Sequence, residues 1–217
     1  MKAIDIIIPV HKYDSDVAEL LTKCLHSVKD MAIMGQKDNI KTNIKVVGPS
    51  LPADDIINLV EWSTEFTTFN VINNPGETDF CSQVNFAVES ACDSDYFMIV
   101  EFDDIVTPKW LNMALPYIKS RSKCPVFLPL VETYDIKSPS MPIHYINELG
   151  WSSAFTENEL GSISNSALQD YCNFNLTGGI INRNSFVKSG GLKSSMKLSF
   201  NYELLLRFTH FYDEIYV

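Results

Sequence analysis

The first 120 residues alternate between short apolar runs and longer segments in which apolar residues recur every three or four positions. The runs are almost continuously apolar, which is the pattern of strands that are covered on both faces of a sheet. The longer segments have the spacing of one buried helix face. The sequence predicts strands at Ile4–Val10, Ile44–Val47, Phe69–Ile72 and Tyr96–Val100.

Each predicted strand is followed by a segment that predicts a helix. Asp14 or Ser15 can cap the first helix, and Thr107 can cap the fourth with Pro108 in its first turn. Asp79 is expected to cap the third helix. The helices are predicted over Val17–Val28, Ala53–Phe66, Phe80–Ala91 and Trp110–Ile118.

This alternation predicts an α/β fold with a mostly parallel central sheet flanked by helices. Ligands of such sheets bind beyond the carboxyl ends of the strands, where the chain turns into the helices. The positions of interest are therefore Val10–Tyr13, Gly48–Ser50, Asn73–Asp79 and Glu101–Thr107.

The second half predicts less regular structure. A strand is expected at Val126–Val131, but residues 132–170 are rich in Ser, Asn and Pro and hold six acids against one base. A long irregular stretch inside a compact domain is usually a functional loop. Beyond it the pattern predicts a strand at Phe174–Ile181, a short helix from Asn184 and a helix at Phe200–Phe211.

Composition narrows the class of protein. The 217 residues include 17 Lys and Arg against 27 Asp and Glu, a net charge of −10. That charge excludes a general nucleic-acid binder, which needs a basic surface. An acidic protein can still bind an anionic substrate if a local basic group or a metal ion is present.

The sequence also predicts a location in the cytoplasm. No apolar run approaches the roughly 18 residues of a membrane span. The N-terminal apolar run is interrupted at Asp5, so it predicts a strand and not a signal peptide. Five scattered cysteines without a Cys-x-x-Cys pair predict buried, reduced thiols.

Two phosphate-binding loops are absent from the sequence. The first strand continues into Pro9-Val-His-Lys-Tyr without glycine, so a dinucleotide-binding G-x-G-x-x-G turn is missing. No G-x-x-x-x-G-K-[ST] sequence occurs either, which excludes a P-loop enzyme.

The sharpest local feature is an acidic cluster at the end of the fourth strand. Glu101, Asp103 and Asp104 place three carboxylates within four residues at the expected ligand edge. Oxygen ligands of this kind suit Mg²⁺ or Mn²⁺, which commonly bind through one or two carboxylates plus substrate phosphates. Capping of the next turn by Asp103 and Asp104 is the alternative reading of the same residues.

The order of these motifs resembles a family 2 glycosyltransferase of the GT-A fold, the fold of nucleotide-diphospho-sugar transferases. The resemblance covers nearly the whole chain. It rests on the strand Ile4-Asp-Ile-Ile-Ile-Pro-Val-His11, on Asn74-Pro-Gly before a helix, on the acidic cluster, on Thr177-Gly-Gly-Ile-Ile-Asn-Arg183, on Ser189-Gly-Gly-Leu192 and on Phe200-Asn-Tyr-Glu-Leu-Leu-Leu-Arg207.

The resemblance implies a metal-dependent, inverting transfer of a sugar from a nucleotide-diphosphate donor to a saccharide, polymer or other hydroxyl acceptor. It implies one domain over residues 1–217, with a nucleotide-binding half at 1–107 and an acceptor-side half at 108–217 that contains the loop 132–170. Residues implied in donor binding are Pro9, His11, Asn85, Glu101, Asp103, Gly178 and Gly179. Asp103, with Glu101 and Asp104, is implied as the site of Mn²⁺ or Mg²⁺.

Three departures from the family pattern bear on activity. The end of the second strand reads Gly48-Pro-Ser50 where the family has an Asp for the base, so the nucleotide stays open. Glu101 replaces the first Asp of the D-x-D element. The stretch that in the family supplies the general base has Asn201 at the base position, and an amide cannot accept a proton. Glu203 is the nearest replacement, although on a helix it points about 200° away from Asn201.

Other functions remain open at this level. A GT-A domain that binds nucleotide sugars without efficient transfer would fit Asn201 and the missing Asp. A nucleotidyltransferase would share an acidic metal site but lacks its glycine-rich loop here. Trp151 could stack on an acceptor sugar, and Arg183 and Lys188 could reach a diphosphate. The sequence leaves the sugar, the acceptor, the oligomeric state and the completeness of the C-terminus undetermined.

Overall fold

A computed structural model describes residues 1–62, 65–76, 78–135, 138–148, 161–170 and 173–217 of the chain. Its strands are β1 (Ala3–Pro9), β2 (Lys41–Gly48), β3 (Thr67–Asn73), β4 (Tyr96–Ile99), β5 (Val126–Phe127), β6 (Val131–Asp135), β7 (Ser138–Ile146), β8 (Ser162–Ser164), β9 (Ile180–Asn182) and β10 (Glu214–Tyr216). Its helices are α1 (Ser15–Gln36), α2 (Ala53–Ile57), α3 (Phe80–Ser90), α4 (Trp110–Ser120), α5 (Asn165–Asp170), α6 (Arg183–Lys188) and α7 (Phe200–Tyr212).

Eight strands form one mixed sheet in the order β3-β2-β1-β4-β9-β5-β10-β8. Strands β3, β2, β1 and β4 are mutually parallel, whereas β9 runs antiparallel to both β4 and β5. The predicted α/β class with a largely parallel sheet is therefore confirmed. The remaining pair, β6 and β7, forms a separate antiparallel hairpin.

Helices cover both faces of the sheet, as the apolar runs predict. On one face, α1 and α4 bury residues such as Leu21 and Leu111 against β1 and β2. On the other face, α3 and α7 bury residues such as Val84 and Phe208 against β1 and β4. Ligands of sheets that carry a core on both faces commonly bind beyond the carboxyl ends of the parallel strands.

Two helix predictions in the first half were wrong in their bounds. The predicted helix Ala53–Phe66 ends at Ile57, with Asn58 at its C-cap, and Trp62 instead stacks on Phe69 of β3. The fourth helix begins at Trp110, so that Thr107 accepts a turn hydrogen bond from the Trp110 N–H without capping the helix. Asp14 and Asp79 cap α1 and α3 as predicted.

The second half is more regular than predicted. The strand expected at Val126–Val131 ends at Phe127, and Val131 begins the hairpin. The stretch 132–170, expected to be irregular, contains most of β6, together with β7, β8 and α5. The strand expected at Phe174–Ile181 is reduced to β9 and a single bridge between Thr177 and Ile99.

Two further observations bear on the predicted class of protein. No helix in the described part of the chain is long and apolar enough to cross a membrane. The four cysteines within the described ranges are buried and free, which agrees with the predicted reduced thiols: Cys24, Cys81, Cys92 and Cys124.

Candidate functional site

The parallel strands bring their carboxyl ends to one edge of the sheet, called here the ligand edge. The Val10 N–H donates to the Val47 oxygen at 2.8 Å, which ties the end of β1 to β2. The Val100 N–H donates to the Ile7 oxygen at 3.0 Å, which ties the end of β4 to β1. Because β9 is antiparallel to β4, the residues just before β9 meet the same edge.

The acidic cluster forms a tight turn at this edge. The Asp104 N–H donates to the Glu101 oxygen at 3.0 Å, so three carboxylates are held within one turn. Burial, followed by the negative charges of Asp104 and Asp103, raises the pKa of Glu101 to about 7. Burial also raises the pKa of Asp104, while Asp103 is exposed. In the described part of the chain, the charged neighbours that shift these pKa values are carboxylates, so the turn holds negative charge that the described residues leave largely uncompensated.

Two polar residues from the second half reach the acidic turn. An Asn175 side-chain hydrogen bond stabilises the charged form of Glu101, and a Thr177 hydroxyl bond does the same for Asp104. Neither residue was predicted from the sequence as a site residue. The feature that could have indicated them is a pair of polar side chains just before the glycine pair at 178–179, at the start of a predicted strand.

The segment that carries Asn175 and Thr177 is fixed by close backbone packing. The Gly178 N–H donates to the Ile99 oxygen at 2.7 Å, and the Trp110 indole N–H donates to the Gly178 oxygen at 2.7 Å. Gly178 has a φ of +70°, and a Cβ there would lie 3.0 Å from Pro129. A Cβ on Gly179 would lie 2.8 Å from a backbone oxygen. Both glycines thus give room to protein atoms, and donor binding by them stays a prediction.

The end of β1 lies beside the acidic turn. Pro9 is buried as the last residue of β1, and His11 follows on the surface. The His11 ring lies 5.5 Å from the Phe102 ring, centroid to centroid. The structure therefore brings Pro9 and His11, which are implied in donor binding, next to the acids implied in metal binding.

Close packing at the end of β2 explains why Gly48 stands where the glycosyltransferase family has an Asp. A Cβ at Gly48 would lie 2.1 Å from the Val10 oxygen, so only glycine fits. The next turn is held by Asn73, whose amide oxygen accepts from the Leu51 N–H. Tyr13 lies close enough for the Asp55 charge to act on its phenol, whose pKa burial and Asp55 raise.

Asn85 is engaged with the protein backbone. Its amide oxygen accepts from the Leu192 N–H at 2.8 Å, and its amide nitrogen donates to the Leu192 oxygen at 2.8 Å. A Cβ on Gly191 would lie 2.6 Å from the same amide oxygen. Asn85 thus links α3 to the turn before α7, and its implied contact with a donor stays a prediction.

Glu203, the candidate base, forms a two-point ion pair with Arg207. The carboxylate oxygens accept from the guanidinium at 2.6 and 2.7 Å, and both side chains are about one-fifth exposed. Arg207 also donates to the backbone oxygens of Ser189 and Gly191. The amide oxygen of Asn201 is buried and has no hydrogen-bond partner within the described residues.

Two further predictions from the sequence concern Arg183 and Trp151. Arg183 lies at the opposite edge of the sheet, where its backbone N–H donates to Asp95 and its guanidinium to Val88, so it does not lie beside the acidic turn. Trp151 lies outside the described residues.

The acidic turn supplies part of the coordination that Mg²⁺ or Mn²⁺ needs. Within the described ranges, no group of three or more His, Cys, Asp or Glu side chains could hold a metal ion by itself. These cations commonly take only one or two carboxylates and complete their shell with substrate phosphates and water. The oxygen donors of Asp103 and Asp104, and the uncompensated charge on the turn, fit such a cation.

Comparisons with known proteins give matches at the level of structure. No protein-family model and no curated protein matches the chain in sequence. The mannosyltransferase PcManGT from Pyrobaculum calidifontis, solved with GDP-Man and Mn²⁺, matches 96% of this chain and 52% of its own, with a TM-score of 0.62 at 9% identity. S. aureus TarS 1–349 matches 96% of this chain and 55% of its own, with a TM-score of 0.55 at 13% identity.

A third match is the complex of S. aureus TarS 1–349 with UDP-GlcNAc, which covers 96% of this chain and 53% of its own, with a TM-score of 0.55 at 10% identity. The chain thus spans about half of the length of these three structures. At such identities the matches establish the fold alone. The chain therefore has the GT-A fold.

Proposed function

We propose that this chain is a metal-dependent, inverting glycosyltransferase that moves a hexosyl group from a nucleotide-diphosphate sugar to a hydroxyl of a saccharide or other acceptor. The observation that carries the proposal is the uncompensated acidic turn at the ligand edge of a GT-A sheet. The structural neighbours solved with UDP-GlcNAc, or with GDP-Man and Mn²⁺, support the choice of donor and cation.

The residues of the turn have separable roles in this proposal. Asp103, which is exposed, and Asp104 would hold Mn²⁺ or Mg²⁺, and Glu101 would face the ribose. When bound, the cation would neutralise the charge that develops on the leaving diphosphate. His11 and Phe102 would border the nucleobase, because their rings lie together beside the turn.

Glu203 is the candidate general base of the same proposal. It lies in the first turn of α7, and its charge acts on Cys81 in the first turn of α3, which begins at the ligand edge. A general base must accept the proton of the attacking hydroxyl, and such groups typically contribute 10²–10⁴-fold, an order-of-magnitude figure. The Arg207 pair would have to open, or share Glu203 with the acceptor.

A second candidate function is a nucleotide-sugar-binding module with little or no transfer. Two observations favour it, namely the amide at Asn201 and the occupation of both Glu203 oxygens by Arg207. In this case the acidic turn would still bind the nucleotide with a cation. The two candidates therefore differ in turnover and agree in binding.

Binding is tested first, by titration calorimetry with UDP, GDP, ADP and CDP, with Mn²⁺ and with EDTA. We expect one nucleotide to bind with Mn²⁺ and to lose about 100-fold or more in affinity in Asp103→Ala, since a charged ligand to the cation is removed. Asp30→Ala, which removes an exposed carboxylate on α1, is the matched control and should bind like the unaltered chain. Metal-independent binding that Asp103→Ala leaves unchanged would contradict the metal assignment.

Turnover separates the two candidates. Donor hydrolysis and transfer are measured over a panel of nucleotide sugars for the unaltered chain, Glu203→Gln and Asn201→Asp. The transferase predicts turnover that Glu203→Gln lowers by about 100-fold or more. Tight nucleotide binding without turnover on any donor supports the module, and turnover that survives Glu203→Gln removes Glu203 as the base.

A further inference from the structure

Two adjoining cavities lie at the edge of the sheet opposite to the ligand edge. The first has a volume of about 470 Å³ and the second about 390 Å³, and Asp93 and Ser94 line both. Each volume falls in the range of small-molecule sites in proteins, roughly 300–1,000 Å³. The two together are called the edge groove. Its polar and charged lining also includes Lys41, Asn43, Lys45, Thr68, Asn70, Tyr96, Asn182, Arg183 and Asn184.

The edge groove is open because one face of the sheet is only half covered. Helix α3 packs over Ile7 and Val47 and ends at Ser90. Within the described residues, no helix covers the positions on the same face that lie nearer the amino ends of β1, β2 and β3. Those earlier positions are polar, as at Asn43 and Thr68, which are register partners on β2 and β3. A doubly covered parallel sheet normally carries apolar residues there.

The floor of the groove is a fixed ion pair. The Lys45 ammonium donates to Asp5, and the Asp5 carboxylate also accepts from the Asp93 and Ser94 N–H groups at 3.0 and 2.8 Å. Lys45 is only 6% exposed, yet it lines the second cavity. An ammonium has three N–H donors, and within the described residues one of them is used by the protein, so two are left for a ligand.

The chemistry of the walls selects a neutral, hydroxyl-rich ligand. The groove is lined by Lys41, Lys45 and Arg183 against Asp93 and Asp95, and the Asp5 carboxylate paired with Lys45 brings the two signs into balance. An anionic polymer would need an excess of cations. The remaining wall is mostly amide and hydroxyl groups, which both donate and accept hydrogen bonds, as sugar hydroxyls do. These groups are Asn43, Thr68, Asn70, Ser94, Tyr96, Asn182 and Asn184.

We propose that the edge groove is a secondary binding site for a neutral oligosaccharide, remote from the ligand edge. The inference rests on the proposed function, because a saccharide acceptor is what would bring such a chain to this protein. A site here would hold a distal part of the acceptor or product while its reacting end lies at the acidic turn. It would raise the local concentration of the acceptor without contact with the donor.

The test uses the full chain labelled with ¹⁵N and titrated with maltohexaose, xylohexaose and chitohexaose, without donor or metal. We expect one of them to shift the amide signals of Asn43, Asn70, Ser94 and Asn184. The double variant Asn70→Ala/Asn184→Ala truncates two exposed amides and should weaken this binding about tenfold, the loss of two ordinary hydrogen bonds. Gln169→Ala, an exposed amide on α5, is the control and should bind normally.

The outcomes distinguish this proposal from the proposed function. Shifts confined to His11 and the acidic turn, or no shift with any probe up to about 10 mM, a weak affinity, would overturn the edge groove as a saccharide site. Stronger shifts with a heparin hexasaccharide, used as an anionic probe, would overturn the neutral ligand class. Nucleotide binding with Mn²⁺ is measured on the same samples, so its failure is recorded separately from the failure of the groove.

Discussion

Two buried carboxylates on neighbouring strands show how differently the two edges of the sheet are built. Asp5 of β1 is fully buried, and burial alone would raise its pKa, but the Lys45 ammonium and the Ser94 N–H lower it below its usual range. Glu101, just after β4, is also largely buried, and this burial, followed by the charges of Asp104 and Asp103, raises its pKa to about 7.

The comparison indicates which edge the fold keeps for a cation and a charged ligand. At the Asp5 edge the charge is matched within the protein, which stabilises the fold and the 93–94 turn. At the ligand edge the charge is left unmatched, which costs stability unless something outside the protein provides the counter-charge. Strongly perturbed groups of this kind concentrate at functional sites. The contrast therefore supports the acidic turn as the binding centre and gives three ways to test it.

The largest effect on stability is expected at the Asp5 edge, called here the matched edge because Lys45 neutralises Asp5. Lys45→Met keeps most of the aliphatic stem but leaves Asp5 buried without its ammonium. Breaking a buried pair from one side typically costs about 3–5 kcal/mol. We expect a loss of that order in the free energy of unfolding, measured by urea titration at pH 7.

Two further variants sharpen this prediction. Asp5→Asn/Lys45→Met removes the stranded charge and should recover much of the loss, because an amide oxygen can still accept from the 93–94 turn. Lys12→Ala breaks the exposed pair with Asp14 and should cost far less. If Lys45→Met is as mild as Lys12→Ala, the matched edge is not held by this pair.

The fold could be predicted from the sequence where a local pattern determines the element. Strands β1 and β4 are buried on both faces, so their apolar runs alone located them and the acids that follow. The prediction for α2 was too long because the helical spacing of apolar residues continues through Leu59 and Val60. The path of the chain beyond Ile57 depends on the stacking of Trp62 on Phe69, a contact that the local pattern does not reveal. Short strands such as β9 depend on pairing with β4 and β5, which no local pattern reveals.

The candidate site was predictable to a similar extent. The acids at 101–104 were found because sequence proximity places them together. Asn175 and Thr177 were missed because they reach the acids only through the packing of Gly178 against Ile99 and Trp110. For Asn85 and Glu203 the residue type and position were predictable, but their partners, Leu192 and Arg207 respectively, were not.

The second effect is the pH dependence of stability that arises at the ligand edge. The folded pKa of Glu101, about 7, lies above its ordinary value of 4.5, so the folded state binds the extra proton between these values. The stability this gives is fully present below pH 4.5 and is lost as pH rises through 7. Relative to Glu101→Gln, the unaltered chain should therefore lose on the order of 2–3 kcal/mol between pH 4.5 and pH 8.

The measurement is urea unfolding of both chains at four pH values, without metal. Asp5 titrates in both chains, so its opposite contribution cancels in the difference. A difference curve that stays flat would mean that Glu101 is matched by a group near the turn, and the contrast between the two edges would fail. Addition of Mn²⁺ with the bound nucleotide should flatten the curve, since the cation favours the charged carboxylate.

The smallest effect compares a helix cap at each edge. Asp79 caps α3 at the ligand edge by accepting from the Ser82 N–H at 3.1 Å, and Asn182 caps α6 at the opposite edge by accepting from the Ser185 N–H at 2.9 Å. Replacement of either residue by Ala should cost about 1 kcal/mol of unfolding free energy. Asp79→Asn keeps the cap and should cost almost nothing, because Asn and Asp cap equally well. If Asp79→Asn leaves stability intact but weakens Mn²⁺-dependent nucleotide binding, the charge of Asp79 belongs to the unmatched set, and the ligand edge extends beyond the acidic turn to the start of α3.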